Sequence, residues 1–256
     1  MLPFFTRYVA LGDSMSIDLY PALDAGEIDV AVALERDTHA GRVAPLGAAS
    51  LLYQNDDARH PESQGEELNA RYPGIRFQNL ALDGATIGDV FGEQLLALED
   101  DSGPTLVTLT AGGNDLLSAM ANRPRASLLE SIGQEVMAAY DFLVASIRRD
   151  VPDSVIVLTS IYDPSDGTGR IPGVLEGVGV LPLHVLDAMN AHIRSLADDD
   201  VVLFADAHAW FLGHGVSAPE AERWYWRRSL VEPSAAGADG LRRLWLSVLD
   251  AADSAP

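Results

Sequence analysis

A chain of 256 residues, 48% of them apolar, can bury a full core, so it is neither a disordered tail nor a small disulfide-stapled module. It has no cysteine and no lysine, which removes thiol nucleophiles, cysteine metal sites, Schiff-base chemistry and Ser-Lys dyads. Its 17 arginines face 38 acidic residues, and a formal charge of −21 repels phosphate backbones and anionic membranes, so no nucleic-acid partner is expected.

The first apolar run, 7–11, predicts a buried strand that ends directly in Gly12-Asp13-Ser14. The stretch 18–71 is too long for a plain connection and holds a loop-like segment at 55–61. A second strand is expected over 75–80, closing in the turn Asn79 to Thr86, where Gly84 lets a backbone N–H approach a ligand closely. The third, 105–110, runs into Gly112-Gly113-Asn114-Asp115. A helix is expected over 127–149, a fourth strand over 154–160, a helix over 182–197 and a fifth strand over 201–205. A second long excursion, 206–232, holds three of the four tryptophans, Trp210, Trp224 and Trp226. The closing helix, 234–251, carries Leu241, Leu244, Trp245, Val248 and Leu249 at helical spacing.

Strands alternating with helices imply right-handed crossovers and a parallel sheet covered on both faces. Five such strands suit a flavodoxin-like three-layer α/β sandwich of order 2-1-3-4-5, read here as one domain over residues 1–256. Its switch point lies between strands 1 and 3, and Ser14 and Asn114 follow just those strands. No apolar run is long enough to predict a transmembrane helix, so no membrane insertion is expected. The start lacks a basic region followed by an apolar one, which points to a cytoplasmic protein. Neither phosphate-loop glycine patterns nor His/Asp/Glu spacings of a metal site occur, so no cofactor is expected.

A serine hydroxyl beside an asparagine amide suggests a nucleophile next to an oxyanion donor. Taken alone, an Asp-Ser pair after a strand reads as a helix cap, and Gly-Gly-Asn-Asp as a turn plus a cap, with Asp115 in a structural role. Taken together, Gly12-Asp13-Ser14, Asn79 through Gly84 and Gly112-Gly113-Asn114-Asp115 resemble three motif blocks of the SGNH (GDSL-type) hydrolases, in order and spacing. That resemblance implies an esterase or lipase on a flavodoxin-like sheet, acting through an acyl-enzyme on a small-molecule ester. It implies Ser14 as nucleophile, with the Ser14 and Gly84 N–H groups and the Asn114 amide as oxyanion donors, and no cofactor.

The family's fourth block, Asp-x-x-His-Pro before the last helix, is altered. Ser229 stands at the aspartate position and Glu232 at the histidine position, followed by Pro233. Ser14 then needs another base. The candidates are His39, His60, His184, His192, His208 and His214, and His214 is preferred because flanking glycines let its loop turn tightly within the excursion that delivers Glu232. Glu232 is either the carboxylate orienting His214 or the base itself. An imidazole, titrating near 6.5 against about 4.3 for Glu, is the better matched base at neutral pH, so Ser14, His214 and Glu232 are expected in mutual contact. Trp210, Phe211, Trp224 and Tyr225 are candidate walls of an acyl pocket, and Arg223, Arg227, Arg228, Arg242 and Arg243 a candidate surface patch. Rival readings are an SGNH-like domain that has lost catalysis and keeps a binding role, and a flavodoxin-like nucleotide or flavin binder. The sequence leaves acyl group, alcohol and oligomeric state open.

Overall fold

The computed structural model describes residues 1–28, 43–99, 103–121, 126–173, 179–198 and 200–254. All five expected strands form, as β1 (Arg7–Gly12), β2 (Arg76–Asn79), β3 (Thr105–Thr110), β4 (Ser154–Thr159) and β5 (Val202–Ala205). They pair in parallel in the order β2-β1-β3-β4-β5, the flavodoxin-like order expected from the alternation of elements. An antiparallel hairpin, β6 (Tyr225–Trp226) and β7 (Ser229–Pro233), lies apart from this sheet.

Helices α1 (Leu19–Asp24) and α2 (Ala48–Tyr53) and a single helical turn at Leu68–Arg71 are among the described residues between β1 and β2. Helix α3 (Gly113–Ala121) follows β3 and leads to the long α4 (Ala126–Asp150). Helix α5 (Leu183–Ser195) joins β4 to β5, the five-residue α6 (Ala207–Phe211) follows β5, and α7 (Ala235–Ser254) closes the chain.

Because side chains alternate across a strand, each strand feeds two cores. Val9, Leu11, Val107, Leu109, Ile156 and Leu158 face α4 and α5, where Tyr140, Leu143, Ile147, Val185, Leu186 and Met189 are buried. Tyr8, Ala10, Leu106, Val155, Val157 and Leu203 face the other way, onto α2 and onto Leu241, Leu244 and Trp245 of α7. Both faces being covered explains why β1 and β3 are buried along their whole length. Two buried threonine hydroxyls are satisfied inside: Thr108 meets the Tyr8 hydroxyl at 3.0 Å, and Thr105 donates to Gly103 O at 2.8 Å.

The register sets the position of the site. Gly12 pairs with Thr110, so the chains leaving β1 and β3 emerge side by side at the carboxyl edge of the sheet. Among the described residues, no helix is long and apolar enough to cross a membrane.

Candidate active site

The turn after β1 is fixed from several sides. Gly12 has φ +123°, and a Cβ there would sit 1.8 Å from Thr110 O, so only glycine fits between the strands. Gln94, fully buried, clamps the same residue: Gly12 N donates to its Oε1 and its Nε2 donates to Gly12 O, both at 2.7 Å. The Asp13 carboxylate accepts from Met15 N at 3.1 Å and so caps the helical turn Ser14–Ser16. Thr110 Oγ1 accepts from Asp13 N at 3.2 Å and meets Ser16 Oγ at 3.0 Å. Ser14 is thereby held, buried, on a backbone with little freedom.

The turns after β2 and β3 are tied to it and to each other. Asn79 Nδ2 donates to Ser16 O at 3.2 Å, and Leu82 N donates to Gly12 O at 3.0 Å. Asn114, in the first turn of α3, donates one amide N–H to Ala85 O at 3.0 Å, which leaves its second N–H for a ligand. Asp115 accepts from Ile87 N at 3.1 Å, the structural role expected of it. Gly84 takes φ +70° in its turn, a left-handed conformation that favours glycine. The backbone N–H groups of Ser14 and Gly84 find no acceptor among the described residues.

Ser14, Asn114 and Glu232 line one pocket, of about 490 Å³ with its open mouth included, together with Asp13, Tyr162 and Val231. Gly84 stands outside its wall. Glu232 arrives on β7, which the Tyr162 hydroxyl holds by donating to Val231 O. The Ser14 hydroxyl is near enough to the Glu232 carboxyl to favour its charged form, and the carboxyl's Oε2 is buried with no hydrogen-bond partner. Burial first, then repulsion from Asp83 and Asp13 against the pull of Ser14, pushes the Glu232 carboxyl up to about 7. Asp13 is likewise pushed up to about 7, mainly by burial. Asp83 is held outside by Tyr20, whose hydroxyl lies 3.0 and 3.1 Å from its two oxygens.

His214 is not brought to Ser14. Its ring stacks on Trp224, with centroids 3.9 Å apart and planes 4° from parallel, and its Nδ1 lies 2.9 Å from Glu222 O. The glycines do turn the loop, but the indole captures the imidazole. The other described histidines also sit elsewhere: His208 Nδ1 lies 3.3 Å from Ile161 O, His192 meets Asp141, His184 faces Glu130, and His60 faces Asp239 and Glu62. His39 lies outside the described residues.

Two further expectations are corrected. Trp210, Phe211, Trp224 and Tyr225 do not wall the pocket; they pack with one another, and Phe211 is wholly buried in the α7-side core. The arginines form no single patch, because Arg242 is buried on Asp239 with Arg243 beside it at 3.0 Å, while Arg223 bonds the carbonyls of Ala218 and Val216. His60, Glu62 and Asp239 come close enough together to suggest a cation site, but these two guanidinium groups already neutralise Asp239. Gln94, Thr110 and Tyr162 were not legible as site residues: each acts through a partner distant in sequence, and no local pattern marks it.

Comparisons with known proteins agree with the fold. The model of the GDSL-like lipase/acylhydrolase family matches residues 40–239, a span with the Asn79 and Asn114 turns and Glu232 but not Ser14. No curated protein matches the sequence. Among solved structures, phospholipase A1 from Streptomyces albidoflavus NA297 is similar at 23% identity and TM-score 0.60, over 96% of this chain and 99% of that one. An extracellular lipase from Streptomyces rimosus is similar at 23% identity and TM-score 0.57, again over 96% and 99%. A variant of an acetyl xylan esterase from Geobacillus stearothermophilus is similar at 17% identity and TM-score 0.58, over 97% and 96%. Catalytic substitutions in that esterase replace an aspartate and a histidine. Likeness at these identities speaks for the fold; the family match, which spans most of the sequence, speaks for descent. The chain belongs to the GDSL-like lipase/acylhydrolase family of ester-hydrolysing enzymes.

Proposed function

We propose that this protein hydrolyses carboxylic esters through an acyl-enzyme on Ser14, with Glu232 as general base in place of an imidazole. The observation that carries the reading is that Ser14 lines the same pocket as the buried Glu232 carboxyl, which burial pushes up to about 7 and the Ser14 hydroxyl pulls back. A carboxylate at its usual pKa is a weak base at neutral pH, and burial removes that handicap. The family's lipases and esterases, and the lipase and acetyl xylan esterase similar in fold, support an ester as substrate.

In this mechanism Ser14 Oγ attacks the acyl carbon while its proton passes to the Glu232 carboxylate. The oxyanion is held by the second N–H of Asn114 and by the backbone N–H of Ser14. Collapse breaks the bond to the alcohol, and Glu232 returns the proton to the departing oxygen. Water then attacks the acyl-enzyme with Glu232 again taking a proton, the carboxylic acid leaves, and Ser14 is restored. None of the described histidines takes part.

The test is a p-nitrophenyl phosphonate, which forms a stable adduct with an activated serine. Wild type should be labelled at Ser14 alone, and Ser14→Ala should lose both labelling and ester hydrolysis, by at least about 10⁴-fold. An unlabelled wild type without ester hydrolysis would mean a domain that has lost catalysis.

A further inference from the structure

Glu232 sits on an element too small to fix it alone. The hairpin pairs a two-residue strand with one of five residues, and Tyr225 is in register with Pro233. Two strands without a third, or without a packed face, are marginal in water. A base needs closer control than that, because a displacement of about 1 Å costs on the order of 10²-fold in rate.

The tie to the central sheet comes from the exit of β4. Ile161 is clamped there by Asn190 of α5: Ile161 N donates to Asn190 Oδ1 at 2.7 Å, and Asn190 Nδ2 donates to Ile161 O at 2.8 Å. The next residue, Tyr162, lines the pocket with Ser14 and Glu232. Its ring rests against Phe211 and Tyr225, with centroids 5.9 and 5.6 Å away. Its hydroxyl donates to Val231 O, one residue before Glu232. Burial first, then the charge of Glu232, pushes this phenol well above its ordinary value, so the donor keeps its proton at any working pH.

We propose that Tyr162 is a positioning residue for the base: set in place by Asn190, its hydroxyl holds the Glu232 carboxyl in the pocket beside Ser14 and away from open water. This rests on the ester-hydrolase reading above, in which Glu232 is the base.

The experiment is a double-mutant cycle on the hydrolysis of p-nitrophenyl butyrate, with Tyr162→Phe, Glu232→Gln and the two combined. Phenylalanine keeps the ring contacts and removes only the donor. Tyr162→Phe should lower kcat about 10–10²-fold and leave KM within about twofold. A loosened hairpin lets water reach Glu232, so the midpoint of the rise in rate with pH should move below 7. In the Glu232→Gln background, Tyr162→Phe should change kcat by less than about twofold, since a residue that acts through Glu232 has nothing left to place. Asn190→Ala, which unclamps Ile161, should show the same pattern more weakly, and it decides the matter if Tyr162→Phe does not fold. Losses that multiply in the double variant would overturn the proposal and leave Glu232 as base. So would a raised KM at unchanged kcat, or a folded Tyr162→Phe with the wild-type kcat and midpoint. A wild type without ester hydrolysis, or a Glu232→Gln enzyme as fast as wild type, would overturn the hydrolase reading or its base, and this proposal with it.

Discussion

The turns that carry Ser14 and Asn114 and the hairpin that carries Glu232 reach the same pocket by different means. The turns are extensions of paired strands: Gly12 is in register with Thr110, and Gln94 and Asn79 lock the loops with side-chain hydrogen bonds. The hairpin belongs to no central strand. It is docked by the Tyr162 hydroxyl on Val231 O, by Ser234 N on Trp224 O at 2.9 Å, and by aromatic packing. The Asp166 carboxylate fastens the loop that leads to the hairpin, accepting from Gly213, Gly215 and Ser217 at 2.9–3.0 Å. In the proposed mechanism, the nucleophile and its oxyanion donors stay fixed by sheet geometry while the base on the docked element changes from imidazole to carboxylate, and burial of that carboxylate is what makes it a base at neutral pH.

Substitutions on each side should separate the two regions. On the hairpin, Glu232→Gln keeps the shape and removes the base, and kcat for a short p-nitrophenyl ester should fall about 10²–10⁴-fold with KM little changed. Equal loss in KM would make Glu232 a binding group instead. On the strand side, Asn114→Ala should lower kcat about 10²–10³-fold, the effect of one oxyanion donor. A loss under about threefold, less than 1 kcal/mol, would reduce Asn114 to a turn residue.

Asp13→Asn sharpens the comparison, since it lets the strand side act on the hairpin through charge alone. The asparagine oxygen can still accept from Met15 N, but the negative charge that raises Glu232 is gone. Glu232 must be ionised to act, so activity rises with pH through its pKa, and this variant should move that rise below pH 7. A rise moved upward, or left in place, would show that the two carboxyls do not interact. The smallest effect on rate should come from His214→Ala, whose turnover should stay within about threefold of wild type. Loss of the stack on Trp224 should lower the melting temperature by a few degrees, since such aromatic contacts contribute ~0.5–1.5 kcal/mol. A collapse in kcat at unchanged stability would restore the histidine to the mechanism.

The same contrast governs what the sequence discloses. Strand identity, sheet order, and Ser14 and Asn114 at one edge follow from local periodicity and motif spacing, because parallel strands with crossover helices permit few arrangements. Long helices such as α4 show their buried stripe, with Val136, Tyr140, Leu143 and Ile147 falling on one face. The docked region gives no such access. The glycines around His214 mark a turn, but nothing local says that Trp224 will stack on the ring. Nor does Glu232 in a sequence disclose the burial that lifts its pKa, since Asp13 and Asp83 approach it from distant segments. The choice of an imidazole base followed from unperturbed pKa values, which hold for exposed groups and fail in this pocket.

The central claim is that Glu232 activates Ser14, and the most direct measurement is the pH dependence of Ser14 phosphonylation in wild type and Glu232→Gln. A carboxyl lifted to about 7 must lose its proton before it can accept one from Ser14. Wild type should therefore show labelling that rises through a single ionisation near pH 7 and then levels. Glu232→Gln should label slowly with no ionisation in that range. A rise near pH 7 that survives in Glu232→Gln would contradict the claim and assign the activation of Ser14 to another group.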